Sequence, residues 1–196
     1  MSEVKSIIIC GVGGQGSVLA SDIISYALFL SDYDVKKCEI HGMSQRQGSV
    51  VGFVKFGSKV YSPTIAEGEG DYIISFEKLE TLRYLNMLKN DSVAIIQDIE
   101  IPPITVLFGG QKYPENIEEI LSQRTKKFKI INTGEVLKTL GNPKVSNTYL
   151  LGTFSNLLDI KEENWIKAIE KNVKPAYIDI NIKAFQLGRE LRLDFF

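Results

Sequence analysis

Short apolar runs alternate with amphipathic segments along the first two thirds of the chain. Strands are predicted at residues 6–10, 34–40, 71–76, 92–97 and 128–131, most of them apolar nearly throughout, as in strands buried on both faces. Residues 15–30, between the first two strands, carry apolar side chains at a period near 3.6 and predict a helix. This crossover helix implies that the two strands it joins are parallel.

Two further segments are predicted to add to the sheet. Residues 49–56 alternate between apolar and polar side chains and, followed by a Gly-Ser pair and a short strand at 59–61, predict a hairpin. Residues 104–108 come after the Pro102-Pro103 pair, which ends the preceding strand, and indicate a further strand or an edge segment.

Apolar residues at helical spacing predict a helix-rich second half of the chain. Helices are expected at residues 78–89, 115–124, 133–140, 145–158, 159–172 and 177–191. Asp159 and Glu162 form a capping-box-like start for the fifth of these. The whole pattern predicts an α/β fold: a Rossmann-like three-layer α/β/α domain with a mostly parallel sheet, a hairpin and a helical C-terminal third. We expect a single domain over residues 1–196.

Composition and charge narrow the classes of function. The chain is 44% apolar and 24% charged, enough for a full core, and its formal net charge is −1. A near-neutral chain lacks the basic character of nucleic-acid or membrane-surface proteins. No run of about 18 apolar residues is present, and no basic residue leads an apolar segment at the start. We therefore expect a cytoplasmic protein with no nucleic-acid or membrane partner.

The cysteines argue against a metal centre. The chain has two cysteines and one histidine. An iron–sulfur cluster of the usual kind needs four cysteines, and a zinc site would need every one of these three residues. Cys10 and Cys38 are predicted at strand ends, where a free thiol behaves as a small apolar side chain. We predict no metal.

A glycine-rich turn directly follows the first strand. Gly11, Gly13 and Gly16 fit the pattern G-x-G-x-x-G, with Gly14 and Gln15 between them. Glycine lets the chain turn sharply and lets a phosphate approach the backbone N–H groups at the start of the next helix. The turn predicts a nucleotide or another phosphate-bearing ligand, bound by these five residues. A tight turn without a ligand is the alternative.

A polar segment, residues 39–48, forms a second candidate. It holds six side chains that can form hydrogen bonds, and one of them is the single histidine. In a parallel α/β sheet the loops after the first and second strands open at the same edge. We therefore predict that His41, Ser44, Gln45 and Arg46 line one crevice with the glycine-rich turn and belong to the cofactor site.

The two motifs together resemble a known family. G-V-G-G-Q-G at residues 11–16 and H-G-M-S-Q-R at residues 41–46 are similar to gamma-type subunits of 2-oxoacid:ferredoxin oxidoreductases, and above all to the beta-subunit branch of the indolepyruvate enzymes. Asn181, the pair Ala184-Phe185 and Gly188 are also similar to the end of that family. Gln47 departs from the pattern, because a small residue, usually glycine, is expected before Gly48.

The resemblance implies an accessory subunit that is not catalytic alone. Such enzymes decarboxylate a 2-oxoacid on thiamine diphosphate, pass electrons through iron–sulfur clusters to ferredoxin and release an acyl-CoA. This chain has too few cysteines for a cluster and no Gly-Asp-Gly motif with a downstream Asn for thiamine diphosphate. Both groups are therefore expected on a larger partner subunit, with ferredoxin reached indirectly. The resemblance further implies coenzyme A handling by this subunit and favours aryl pyruvates over 2-oxoglutarate or pyruvate.

Two other functions remain open at this stage. Glu39, about 20 residues after the glycines, suits a ribose hydroxyl and so an independent NAD(P)-dependent enzyme, although no second domain is left for a substrate. A purely structural subunit is the other alternative. It would bury the nearly uncharged residues 145–158 and the tail at 193–196 against a partner.

Overall fold

A mixed six-stranded sheet forms the centre of the described part of the chain, residues 3–42 and 48–194 of a computed structural model. Its order is β2-β3-β1-β4-β5-β6. The strands are β1 (Lys5–Val12), β2 (Asp34–His41), β3 (Ser49–Gly57), β4 (Gly70–Ser75), β5 (Leu88–Gln97) and β6 (Lys127–Ile131). β1, β4, β5 and β6 are parallel, whereas β3 is antiparallel to both of its neighbours.

Helices cover both faces of this sheet. Those of the described residues are α1 (Ser17–Phe29), α2 (Lys78–Arg83), α3 (Ile104–Leu107), α4 (Ile117–Arg124), α5 (Gly134–Leu140), α6 (Ser146–Ser155), α7 (Glu162–Asn172) and α8 (Ile178–Arg189). α1, α6, α7 and α8 contribute to the core on one face, and α2 and α4 pack on the other. The predicted three-layer α/β/α fold with a helical C-terminal third is confirmed.

Each central strand is buried on both faces. In β1, Ile7 and Ile9 join the core beneath α1, while Ile8 and Cys10 point to the opposite layer. Successive side chains of a strand point to opposite faces, so a strand between two helical layers must be apolar throughout. This explains the unbroken apolar runs of the sequence.

The hairpin has a different partner from the one predicted. α1 carries the chain from β1 to β2 and the two strands run in the same direction, but β3 lies between them. β3 forms its hairpin with the preceding β2, and the predicted strand at residues 59–61 does not exist. The N–H of Val60 donates instead to Asp34 Oδ2 at 2.9 Å, so this segment closes over the start of β2.

Three smaller predictions were also wrong in detail. The helix expected over residues 78–89 ends early, because the backbone of Leu88 already pairs with β4. Residues 104–108 form the short helix α3 after the proline pair, not a strand. The capping box does not form: Asp159 lies two residues before Lys161, the N-cap of α7, which has no side-chain cap.

Helices α6 and α8 are in direct backbone contact. A Cβ atom built on Gly152 of α6 would lie 2.0 Å from the carbonyl oxygen of Phe185, and one on Gly188 of α8 would lie 2.0 Å from that of Tyr149. Every residue of α6 from Asn147 to Ser155 is buried. The nearly uncharged segment is thus covered by this chain itself. Among the described residues, no helix is both long and apolar enough to cross a bilayer.

Candidate functional site

The glycine turn, residues 11–16, connects β1 to α1 at the carboxyl edge of the parallel strands. Gly14 has φ +100° and Gly16 has φ +84°, values that side-chain-bearing residues rarely adopt. Gly13 and Gly14 are exposed to solvent. The backbone conformation therefore requires glycine at two positions and leaves the outer surface of the turn open.

Gln15 holds this turn together from inside. Its Oε1 accepts a hydrogen bond from the Val12 N–H at 2.7 Å, and its Nε2 donates to the carbonyl of Phe76 at 2.6 Å. A Cβ on Gly11 would lie 3.0 Å from the same Oε1. The amide of Gln15 thus fastens the turn to the end of β4, and Gly11 leaves room for it.

Asn147, 131 residues after Gly16 in the sequence, contacts the glycine turn. It is the second residue of α6, is 2% exposed, and donates from Nδ2 to the carbonyl of Gly16 at 3.3 Å. Gly16 is itself the N-cap of α1. The N-terminal ends of α1 and α6 therefore meet at the turn. Unpaired N–H groups and the positive dipole end make each of them favourable for an anion.

The described end of the polar segment is hydrogen-bonded to the glycine turn. The N–H of Gly13 donates to the carbonyl of Gly48 at 2.8 Å, and the N–H of Gly42 donates to that of Ser49 at 2.9 Å. His41 is exposed at the end of β2. Three further residues predicted for this site lie outside the described residues: Ser44, Gln45 and Arg46.

A partly buried polar cluster lies beside the end of this segment. Ser49, the first residue of β3, donates to Glu80 Oε2, and the hydroxyls of Ser49 and Tyr84 are 3.2 Å apart. Glu80 Oε1 also accepts from Arg83 Nε at 2.9 Å. Burial raises the pKa of the Tyr84 hydroxyl. No sequence motif predicted this cluster, because its members come from β3 and from the region of α2, which are far apart in the sequence.

Two clefts open at the same edge of the sheet. The smaller, about 260 Å³, is lined by Val12 of the glycine turn, by Ser49, by Glu80 and Arg83 of α2, and by residues 101–105. The larger, about 900 Å³, lies between α3 and α4 and includes no residue of the glycine turn. Ligands of open α/β sheets bind at the carboxyl edge beside such turns, which favours the smaller cleft.

Glu39, Cys10 and Cys38, the other candidate residues of the sequence, have contacts that fit a structural role. Glu39 Oε1 accepts from Ser21 Oγ at 3.0 Å and from Lys37 Nζ at 3.1 Å. Because β3 separates β2 from β1, Glu39 lies two strands, roughly 10 Å, from the glycine strand. Burial raises the pKa of the Cys10 and Cys38 thiols, so both stay protonated. No cluster of three metal-ligating side chains occurs among the described residues.

Comparison with known proteins identifies the family. Residues 6–191 match the family described as pyruvate ferredoxin/flavodoxin oxidoreductase. The chain is 37% identical over 188 residues to the indolepyruvate oxidoreductase subunit IorB of Thermococcus kodakarensis, with 93% of each chain covered.

Solved structures share the fold at low sequence identity. The gamma subunit of a keto/oxoacid ferredoxin oxidoreductase from Geobacter sulfurreducens has a TM-score of 0.67 at 21% identity, over 95% of this chain and 96% of that one. A 2-oxoglutarate:ferredoxin oxidoreductase from Magnetococcus marinus has a TM-score of 0.73 at 16% identity, over 98% of this chain and 32% of that one.

The sequence match and the fold agree with one another over almost the whole chain. The family match begins in β1 and ends beyond α8, and so includes both the glycine turn and the helices that pack against it. The chain belongs to the pyruvate ferredoxin/flavodoxin oxidoreductase family, as a small subunit of a 2-oxoacid:ferredoxin oxidoreductase.

Proposed function

We propose that this subunit serves an enzyme that oxidatively decarboxylates an aryl pyruvate, such as indolepyruvate, to an acyl-CoA and reduces ferredoxin. The relative named for indolepyruvate supports this choice of substrate. Since coenzyme A and ferredoxin are intracellular reactants, the proposed location is the cytoplasm. Comparing kcat/KM for indolepyruvate, 2-oxoglutarate and pyruvate in the assembled enzyme tests the substrate class.

The proposed division of labour follows from the donor groups of this chain. Two cysteines cannot supply the four thiolates of the usual iron–sulfur cluster. Cys10 is also fully buried, and its raised pKa disfavours the thiolate that a cluster needs. The clusters and thiamine diphosphate therefore belong to a larger partner subunit. Relatives that are named as subunits of an oxidoreductase support this arrangement.

The glycine turn is proposed to bind the pyrophosphate of coenzyme A. The observation that carries this proposal is the meeting of two helix N-termini, those of α1 and α6, at a turn that exposes Gly13 and Gly14. Such ends stabilise phosphate charge. The Gly13 N–H already donates to the Gly48 carbonyl and is not free for a ligand. The phosphate would therefore be held by backbone N–H groups at the start of α1 and α6.

Gly14→Ala in the assembled enzyme tests this proposal. Gly14 has open space around its missing Cβ, so the methyl group would enter solvent where the phosphate would approach. We expect the KM for coenzyme A to rise at least fivefold. Gly141→Ala is the matched control, because Gly141 also has a positive φ and open space but caps α5, away from the turn. Both changes cost about 1–3 kcal/mol of backbone strain.

A purely structural turn is the second candidate, and one observation favours it. Gln15, Asn147 and Gly48 already bond the turn to three other segments of this chain. Under this alternative, Gly14→Ala and Gly141→Ala lower stability alike and leave the coenzyme A kinetics unchanged. That result would contradict the proposal. Titration of the free chain with NADH separates both from a dehydrogenase, which binds the dinucleotide unaided.

A further inference from the structure

Three large apolar side chains project from a single short segment. Ile104, Leu107 and Phe108 are 62%, 64% and 86% exposed, and we call them the apolar ridge. The other large apolar side chains that are exposed in the described residues are scattered along the chain. Single exposed apolar residues are ordinary, whereas a contiguous group marks an interaction surface.

The ridge is carried by a firmly anchored segment, residues 101–113. Glu77, which is 1% exposed, holds both of its ends: Oε1 accepts from the Ile101 N–H at 3.0 Å and from the Tyr113 hydroxyl at 2.6 Å. Tyr113 in turn accepts from the Leu79 N–H at 3.2 Å. A buried carboxylate with such donors forms strong bonds. The exposure of the ridge is thus built into the fold and does not reflect a loose loop.

The ridge is next to the candidate cofactor cleft. Residues 101–105 line the 260 Å³ cleft together with Val12 of the glycine turn and Ser49, which pairs with Val12 in the sheet. On its other side, Val106 borders the 900 Å³ cleft. A body seated on the ridge would therefore roof the smaller cleft and exclude water from it.

The charges around the ridge indicate the chemistry of its partner. Exposed Glu115, Glu118 and Glu119 line the 900 Å³ cleft beside Val106, together with one exposed lysine, Lys112. Lys78 in the same wall is already paired with Asp98 and Glu100, each at 2.8 Å. The surface is thus an apolar centre with a flank that is acidic on balance, since three exposed carboxylates stand against one exposed lysine. Two copies meeting through it would bring like charges together, whereas a partner with an apolar centre and a basic rim complements it.

We propose that the apolar ridge is the docking surface for the larger, catalytic subunit, which covers it with an apolar patch rimmed by Lys and Arg. This fold makes up about a third of the chain in the Magnetococcus marinus enzyme, so it occurs there as one part of a larger body. The docking inference rests on the role of this chain as a subunit and not on coenzyme A binding. It joins the candidate cleft to the subunit that is proposed to carry the redox chemistry.

The affinity of the two subunits tests the proposal. The variant carries both Leu107→Ser and Phe108→Ser. The measurement is the Kd of this variant chain for the purified larger subunit in the absence of coenzyme A. We expect the Kd to rise at least tenfold, with an unchanged melting temperature for the free chain because both side chains are exposed. Tyr61→Ser is the matched control. Tyr61 is 88% exposed, next to Val60, which is bonded to the start of β2 at the opposite edge.

Charge reversal gives a second, independent test. Glu115→Lys with Glu118→Lys is expected to raise the same Kd at least threefold at low salt and to have a smaller effect at 0.5 M salt, at which exposed charges are screened. A Kd within twofold of the parent for the ridge variant overturns the proposal. So does a free chain that sediments as a dimer and becomes a monomer in the ridge variant with no loss of affinity for the larger subunit. Neither outcome bears on the Gly14→Ala kinetics.

Discussion

Replacing Gly16 with alanine tests how the glycine turn and α6 are fitted together. A Cβ at this position would lie 2.4 Å from Nδ2 of Asn147 and 3.2 Å from its Cγ, well inside contact distance. The left-handed backbone adds strain of about 1–2 kcal/mol. Displacing the buried amide from the carbonyl of Gly16 costs about 1–2 kcal/mol more. We therefore expect Gly16→Ala to lower the free energy of unfolding by about 2–4 kcal/mol.

A double-mutant cycle separates the clash from the strain. Asn147→Ala removes the two atoms closest to the new methyl group and leaves only its Cβ, at an ordinary 3.7 Å. In that background Gly16→Ala should cost only the backbone strain, so the coupling energy is about 1–2 kcal/mol. Urea unfolding of the free chain, followed by fluorescence of the single, buried Trp165, measures each corner of the cycle. An equal cost of Gly16→Ala in both backgrounds would refute the reasoning.

Two further predictions concern buried or paired carboxylates. Glu77→Ala strips the acceptor from both ends of residues 101–113 and is expected to cost about 3 kcal/mol in urea unfolding; a loss below about 1 kcal/mol would contradict the anchoring role. The hydrogen bond from Lys36 and that from the backbone of Val60 lower the pKa of Asp34 below its ordinary 3.8. Its contribution is therefore present above that pH and is lost as the pH falls through the lower, folded-state pKa. Asp34→Asn should make the acid side of the melting-temperature profile shallower, and an unchanged slope would count against it.

Much of the fold could be predicted from periodicity. The direction of β1 and β2, the doubly buried strands and the C-terminal helices all follow from apolar spacing, which local geometry imposes. The pairing of strands cannot be predicted in this way. Alternation over residues 49–56 indicates a strand but does not indicate which strands lie next to it. The turn signal at Gly57 predicted that β3 forms a hairpin with the segment after it, whereas β3 pairs antiparallel with the preceding β2.

The candidate site was predictable only where the chain is contiguous. The glycine pattern is contiguous in sequence, and the common direction of β1 and β2 places the end of the polar segment at the same edge of the sheet, where Gly48 bonds to Gly13. Asn147 contacts Gly16 across 131 positions of sequence, and Glu77 fixes residues that follow another strand. Such contacts depend on packing between elements, so no local pattern indicates them. Whether the glycine turn and His41 bind a cofactor stays a prediction.

The hydrogen bond from the Gly13 N–H to the Gly48 carbonyl has a thermodynamic consequence. It couples the position of the glycine turn to that of the end of the polar segment, because neither can move without changing the bond that they share. A ligand at the turn that strengthens or breaks this bond alters the free energy of any contact made by the segment. By reciprocity, that contact alters the affinity for the ligand by the same factor. Under the proposed phosphate binding, occupancy of the turn and a contact made by the neighbouring Gly48 would be linked through this single backbone amide.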